Sequence, residues 1–262
     1  MIGAGPRSLV RFGARRAAPR LRLFCFPYAG GSAALYARWH HALPADVDVV
    51  AIELPGHGKR IGEACAVDMA ALADDLAADL EPSLDRPYAF FGHSLGATLA
   101  FACARALRRR GARLPAHLMA SGRIAPDRRG PDEDAADRSD ADFIAHVRAL
   151  GGTAPEVLAE PELLALFLPI LRADYRLIQS HAYRPEPPLA VPITALAGAS
   201  DARATPHELT AWRAHTTGPF ALHVVAGDHF FVTSARAQVI ERVAQILEHV
   251  AAPAPSRLRR VP

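Results

Sequence analysis

Long apolar runs are missing from this chain. No stretch of 18 apolar residues occurs in its 262 positions, so no segment is long enough to cross a bilayer as a helix. The greasiest run, Leu163 to Leu171, is too short and carries Pro169. Cysteine is scarce: Cys25, Cys65 and Cys103 form an odd, scattered set without C-x-x-C spacing. That argues against a disulfide framework or a thiolate zinc site, and fits a reducing cytoplasm. Lysine occurs only at position 59, and no internal repeat is visible. Acids are missing from both ends. Residues 1–22 hold six arginines and residues 251–262 three more, with no Asp or Glu in either stretch. Without those nine arginines the formal charge of +3 becomes −6. The basic balance belongs to the ends, and nucleic acid is a poor partner for the body of the chain.

What remains is enough to build a large core. Half of the residues are hydrophobic, 22% are charged and the mean hydropathy is +0.07, which excludes wholesale disorder. Residues 1–20 are expected to be a disordered, Arg-rich tail, residues 21–250 a single domain, and the Ala-Pro stretch 251–262 a frayed end.

Within the domain, strand-like and helix-like segments alternate. Leu21–Tyr28, Val47–Leu54, Tyr88–Phe91, His117–Ser121, Ile193–Gly198 and Leu222–Ala226 read as strands. Val67–Leu80, Ser94–Arg109 and Ala235–Val250 read as helices, the last with Val239, Val243, Ile246 and Val250 on one side. Strands that are apolar throughout, alternating with amphipathic helices, predict a mostly parallel sheet covered on both faces. Residues 127–190 break the rhythm with a charged loop and two helical stretches, about Asp142–Leu150 and Glu162–Ser180, separated by Gly151-Gly152. This reads as a helical lid insertion; the alternative is an ordinary helical layer with no gating role.

The chemistry is concentrated in four short segments. Gly92-His93-Ser94-Leu95-Gly96 follows a strand and precedes a helix. In that context Gly-x-Ser-x-Gly is a sharp turn that lifts a serine hydroxyl above the sheet, at the N-terminus of the helix. A hydroxyl is a poor nucleophile near neutral pH and needs a base. Among the twelve histidines, His229 alone sits just after the last strand, in Gly227-Asp228-His229-Phe230. The acid is expected after an earlier strand, which selects Asp201. The helix after it has its own capping box, Thr205-Pro206-His207-Glu208, so Asp201 is not needed as a cap. Asp127 is the competitor. Asp228 is too close to His229 in the chain to orient it, and reads as a loop-fixing carboxylate. Two backbone amides, of Leu95 after the nucleophile and Ala29 in the loop Phe26-Pro27-Tyr28-Ala29-Gly30-Gly31-Ser32, are expected to form an oxyanion hole.

With these residues the chain resembles the α/β-hydrolase superfamily, and within it the type II thioesterases of nonribosomal peptide and polyketide assembly lines. The resemblance rests on Phe26 to Ser32, Leu54-Pro55-Gly56-His57-Gly58-Lys59-Arg60, Gly92 to Ala97, Gly227 to Phe230, and on Leu166 to Tyr175 in the lid stretch. It runs from about Leu21 to Val250. The wording of the lid is most similar to siderophore-pathway members such as the yersiniabactin one. His57 stands where many relatives carry arginine, and Tyr28 where many carry histidine.

The resemblance implies a thioester hydrolase acting through an acyl-Ser94 intermediate. Its substrate would be an aberrant or stalled acyl group on the phosphopantetheine thiol of a carrier protein. It implies no metal and no cofactor, and a cytoplasmic monomer without membrane partners. Tyr28, Phe143, Phe167 and Phe230 are the candidate substrate-binding residues. Apolar lid residues such as Val147, Leu163 and Leu171 would line an acyl chamber or simply pack. The cluster Arg108, Arg109, Arg110 and Arg113 reads as a solvated helix end. A carboxylesterase or acyltransferase with the same triad, or a catalytically silent binding module, is the alternative.

Overall fold

The computed structural model describes residues 6–13, 19–131, 134–153 and 155–250. Seven strands form one sheet: β1 (Leu9–Arg11), β2 (Leu21–Phe26), β3 (Val47–Ile52), β4 (Tyr88–His93), β5 (His117–Ser121), β6 (Ile193–Gly198) and β7 (Phe220–Val225). Their spatial order is β1-β3-β2-β4-β5-β6-β7. All neighbours run parallel except β1, which pairs antiparallel with β3.

That first strand corrects the sequence reading. The expected tail, residues 1–20, contains an edge strand in which Leu9, Val10 and Arg11 face Ile52, Ala51 and Val50. Three residues are too short for a periodicity signal, and their pairing partner lies some 40 positions away. Residues 1–5, 14–18 and 251–262, also expected as tails, lie outside the described residues.

The five inner strands, β2 to β6, are buried on both sides, and their two-residue period divides the core. Phe24, Phe26, Val50, Ile52 and Phe90 point into one layer. Leu23, Cys25, Val49, Ala51, Ala89 and Phe91 point into the other. The first layer is closed by α2 (Met69–Leu80) and α3 (Leu95–Arg109), after the short α1 (Trp39–Ala42). Asp68 caps α2 by accepting the amides of Ala70 and Ala71, which starts the helix two residues later than expected. β2 stops at Phe26 because Pro27 has no amide proton for a ladder bond.

Three helices lie between β5 and β6: α4 (Asp140–Leu150), α5 (Pro155–Ala159) and α6 (Pro161–Gln179). Gly151, at φ 73°, ends α4 in the left-handed conformation that a Cβ would oppose. Part of this insertion has its own small core of Phe143, Val147, Leu171 and Tyr175. After β6 come α7 (Pro206–Leu209), with the expected capping box from Thr205 and Glu208, then β7, α8 (Phe231–Ser234) and α9 (Arg236–Glu248). α9 buries Val239, Ile240, Val243 and Leu247 on the second layer; Ile246 is only partly covered. At the far end of α3, Arg108, Arg109 and Arg110 pair with Glu186, Asp74 and Glu81, so the basic cluster is neutralised locally.

Candidate active site

A parallel sheet collects the loops that leave its C-terminal ends on one rim. Ser94 leaves β4, Asp201 follows β6 and His229 follows β7. Residues separated by more than a hundred positions therefore meet.

Ser94 has φ 53° and ψ −118°, and is the only non-glycine with positive φ among the described residues. Such a backbone costs on the order of 1–3 kcal/mol and is held only because its surroundings over-determine it. The neighbouring glycines explain how. A Cβ on Gly92 would collide with the Gly96 carbonyl, and one on Gly96 with the Phe26 carbonyl. The Ser94 amide is also tied to the Ser121 carbonyl of β5 at 2.8 Å.

The polar contacts form a series. His229 Nε2 lies 3.1 Å from Ser94 Oγ, and His229 Nδ1 lies 2.8 Å from Asp201 Oδ2. A carboxylate only accepts, so Nδ1 carries the proton and Nε2 presents its lone pair to the serine hydroxyl. The Asp201 side chain is fully buried, and its other oxygen accepts the amides of Arg203 and Ala204. Asp127 is elsewhere: its Oδ1 meets His215 Nε2 at 2.8 Å. Asp228 accepts the Phe230 amide at 2.9 Å, a bond that shapes the loop.

His93 is a contributor that sequence reasoning left aside. It is fully buried, and its Nε2 donates to the His229 carbonyl at 2.8 Å while Nδ1 accepts from the Ser121 hydroxyl at 2.9 Å. Burial, aided by the neighbouring His229, holds its pKa well below the usual histidine range. A neutral ring with one donor and one acceptor matches both partners. Its position inside the serine turn, facing a neighbouring loop, was the available signal.

Ser94 opens on a cavity shared with Tyr28, Ala29, Arg123, Arg203, His229 and Phe230, with about 40 Å³ of free space. Tyr28 and Phe230 thus reach the site expected of them, and pack edge to face at 5.3 Å. Phe143 and Phe167 do not line this cavity. Phe143 is fully buried between Tyr175 and the Arg172 guanidinium, inside the lid core. Phe167 lines a separate apolar gap with Val147, Leu164 and Leu171. Both were read from apolar spacing, which does not distinguish a face toward substrate from a face toward another helix. Leu163 is exposed. The two arginines give the cavity a positive wall; burial and the charge of Arg123 push Arg203 down to about 10.

Of the two expected oxyanion donors, Leu95 sits at the first position of α3, and Ala29 lines the cavity. Neither amide has an acceptor among the described residues. Among the described residues there is also no group of three or more His, Cys, Asp or Glu side chains able to hold a metal ion, and no helix long and apolar enough to cross a membrane.

Comparison with known proteins agrees with this geometry. The family profile described as "Thioesterase domain" matches residues 21–249. Gramicidin S biosynthesis protein GrsT of Aneurinibacillus migulanus is 37% identical over 236 residues, covering 90% of this chain and 92% of that protein. The structure of RedJ, the thioesterase of the prodiginine pathway in Streptomyces coelicolor, shares 39% identity at a TM-score of 0.78, covering 88% and 92% of the two chains. That of YbtT, the type II thioesterase of the yersiniabactin pathway, shares 32% identity at a TM-score of 0.82, covering 93% and 99%. A match across nearly the whole domain, joined to a serine turn at the rim of a mostly parallel sheet, makes this chain a member of the thioesterase family, a thioester hydrolase with the α/β-hydrolase fold.

Proposed function

We propose that this enzyme removes acyl groups, aberrant or stalled, from the phosphopantetheine thiol of carrier proteins in a nonribosomal peptide or polyketide assembly line. Ser94, His229 and Asp201 carry the reaction. The observation that supports this most directly is the series Ser94 Oγ, His229 Nε2, His229 Nδ1, Asp201 Oδ2, with spacings of 3.1 and 2.8 Å.

In the first half-reaction Ser94 Oγ attacks the thioester carbonyl and its proton passes to His229 Nε2. Asp201 stabilises the imidazolium. The amides of Ala29 and Leu95 receive the oxyanion; one such donor is typically worth about 3 kcal/mol in the transition state. The C–S bond breaks, the carrier thiol takes the proton from His229, and acyl-Ser94 remains. In the second half a water gives its proton to His229 and attacks the ester. The free acid leaves and the proton returns to Ser94. Every step uses protons and electron pairs that the triad, substrate and water supply.

The free space at Ser94 is about 40 Å³, against roughly 300–1,000 Å³ for sites that enclose small molecules. Entry of an acyl chain would need the insertion side of this cavity, lined by Leu150, Tyr175 and Ile178, to open, and such gating is part of the proposal. The relatives' names come from gramicidin, prodiginine and yersiniabactin pathways, which supports a carrier-bound substrate more than a siderophore intermediate in particular. The partner is the acyl carrier, and the compartment is the cytoplasm, where such carriers are loaded.

The decisive experiment compares an acyl group on a phosphopantetheinylated carrier protein with the same acyl group as an oxygen ester. At least tenfold higher kcat/KM for the carrier thioester is expected. Preference for the oxygen ester would point to a carboxylesterase, and transfer to an added amine or alcohol instead of water to an acyltransferase.

A further inference from the structure

Asp174 stands on the apolar stripe of α6, in register with Leu171, Tyr175 and Ile178, and is 2% exposed. A carboxylate so buried needs partners. Its Oδ2 accepts the Gly30 amide at 2.6 Å and lies 3.0 Å from Nε2 of His57, itself 4% exposed. Gly30 directly follows Ala29 and has φ 77°. Leu171 and Phe167 press on it from the same helix, leaving no room for a Cβ. The lid helix thus grips the oxyanion loop at the residue next to the expected donor.

His57 completes the arrangement. Its Nδ1 lies 3.0 Å from the Pro55 carbonyl, so both ring nitrogens face acceptors. Only imidazolium donates twice. The charged groups around it agree: Asp174 bonds it from α6 and the negative charge of Glu53, just after β3, also acts on it, while the Cys65 thiol and the Tyr175 hydroxyl lie within the influence of the Asp174 charge. Burial disfavours the charge on His57, but the Asp174 bond and charge outweigh it, and its pKa lies above the ordinary histidine value. Glu53 spends its oxygens on the amides of Ala33 and Lys59.

We propose that Asp174 and His57 are positioning residues for the oxyanion hole: the carboxylate fixes the peptide plane between Ala29 and Gly30, and the imidazolium fixes the carboxylate. A planar peptide bond means that holding the Gly30 N–H also limits rotation at Ala29. With the Ala29 carbonyl and Cα anchored in that plane, the Ala29 N–H on the other side of the Cα has less freedom before the oxyanion forms, which is the condition under which such a donor accelerates reaction. This rests on the reading above that Ala29 receives the oxyanion.

The test is kcat and KM on an acyl-carrier thioester, per active site titrated with a fluorophosphonate, from pH 6 to 10. Asp174→Ala is expected to lower kcat about tenfold to a hundredfold with KM within about twofold, because the aimed amide acts in the transition state. In the wild type, kcat should fall on the alkaline side as His57 loses its second proton. His57→Gln should sit at that lower level at neutral pH and lack the alkaline limb. If Asp174→Ala does not fold, His57→Gln decides. Normal kcat per titrated site in both variants, with only a lowered Tm, overturns the proposal, as does an unchanged alkaline limb in His57→Gln. Ser94→Ala separates the two levels: hydrolysis surviving there would overturn the triad reading itself, whereas its loss beside a normal Asp174→Ala would overturn only this inference.

Discussion

The rim of the sheet and the helical insertion expected to act as a lid are built by different rules. At the rim, β4 and β6, which lead to Ser94 and Asp201, are flanked by strands on both sides, and β2, β4 and β6 are buried along their whole length, while β7 before His229 closes the edge. Ser94 is held there by backbone bonds to β5 and α3, and Asp201 by the Gly198 carbonyl of β6 and the amides of Arg203 and Ala204 in its own loop. In the lid the buried set is small, Leu166 is 71% exposed, and a Phe230 ring against Gly152 is one of the contacts joining it to the catalytic loop. A dense layer can hold a strained serine; a sparse one can move aside for substrate. Asp174 is where the two regimes join, since it is a buried lid residue bonded to the rim.

Breaking the rim chemically should give the largest effect. Ser94→Ala is expected to lower hydrolysis by on the order of 10⁶-fold while the thermal melt stays close to wild type. A folded variant with more than one per cent of wild-type rate would remove Ser94 from the reaction.

Next comes the acid. Asp201→Asn should cost about 10⁴-fold in kcat, because an amide at this site favours the wrong imidazole tautomer. Asp127→Asn, whose side chain faces His215, should stay within about threefold. Steady-state rates of the two variants measured side by side would expose a reversed order.

The packing contrast sharpens into a stability comparison. Phe90→Ala empties a fully buried site in the sheet and should cost about 3–5 kcal/mol in denaturant unfolding. Leu166→Ala, on the exposed lid surface, should stay within about 0.5 kcal/mol. Equal costs would mean that the lid is as tightly built as the core.

A small change in stability has an unusual sign. Ser94→Gly removes the Cβ from a left-handed backbone, so it should be inactive yet more stable, by about 1 kcal/mol after the entropy that glycine loses on folding. A lowered Tm would show that the serine turn is unstrained.

Much of this was legible one residue at a time. Gly92, Ser94 and Gly96 announce a strand-to-helix turn, because local sterics leave few other uses for that pattern beside an apolar run. The capping box at Thr205 and Glu208 is likewise local, and it holds in the structure. β1 was missed because three residues carry no period and their bonds run to distant β3. Phe143 and Phe167 were misplaced because an apolar stripe says that a face is covered, not by what. His93 and Asp174 were passed over because their partners, the His229 carbonyl and the Gly30 amide, are 136 and 144 positions away.

Composition, period and turn chemistry, all short-range properties of covalent geometry and side-chain transfer into apolar surroundings, were sufficient for the layered α/β plan and for naming a serine, a histidine and an acid. Which carboxylate reaches which imidazole was decided by the order β2-β4-β5-β6-β7 across the sheet, because that order alone sets which C-terminal loops share an edge. The tie between the lid and the oxyanion loop is of the same kind: it exists only once α6 has folded back over Gly30, and no spacing along the chain records it.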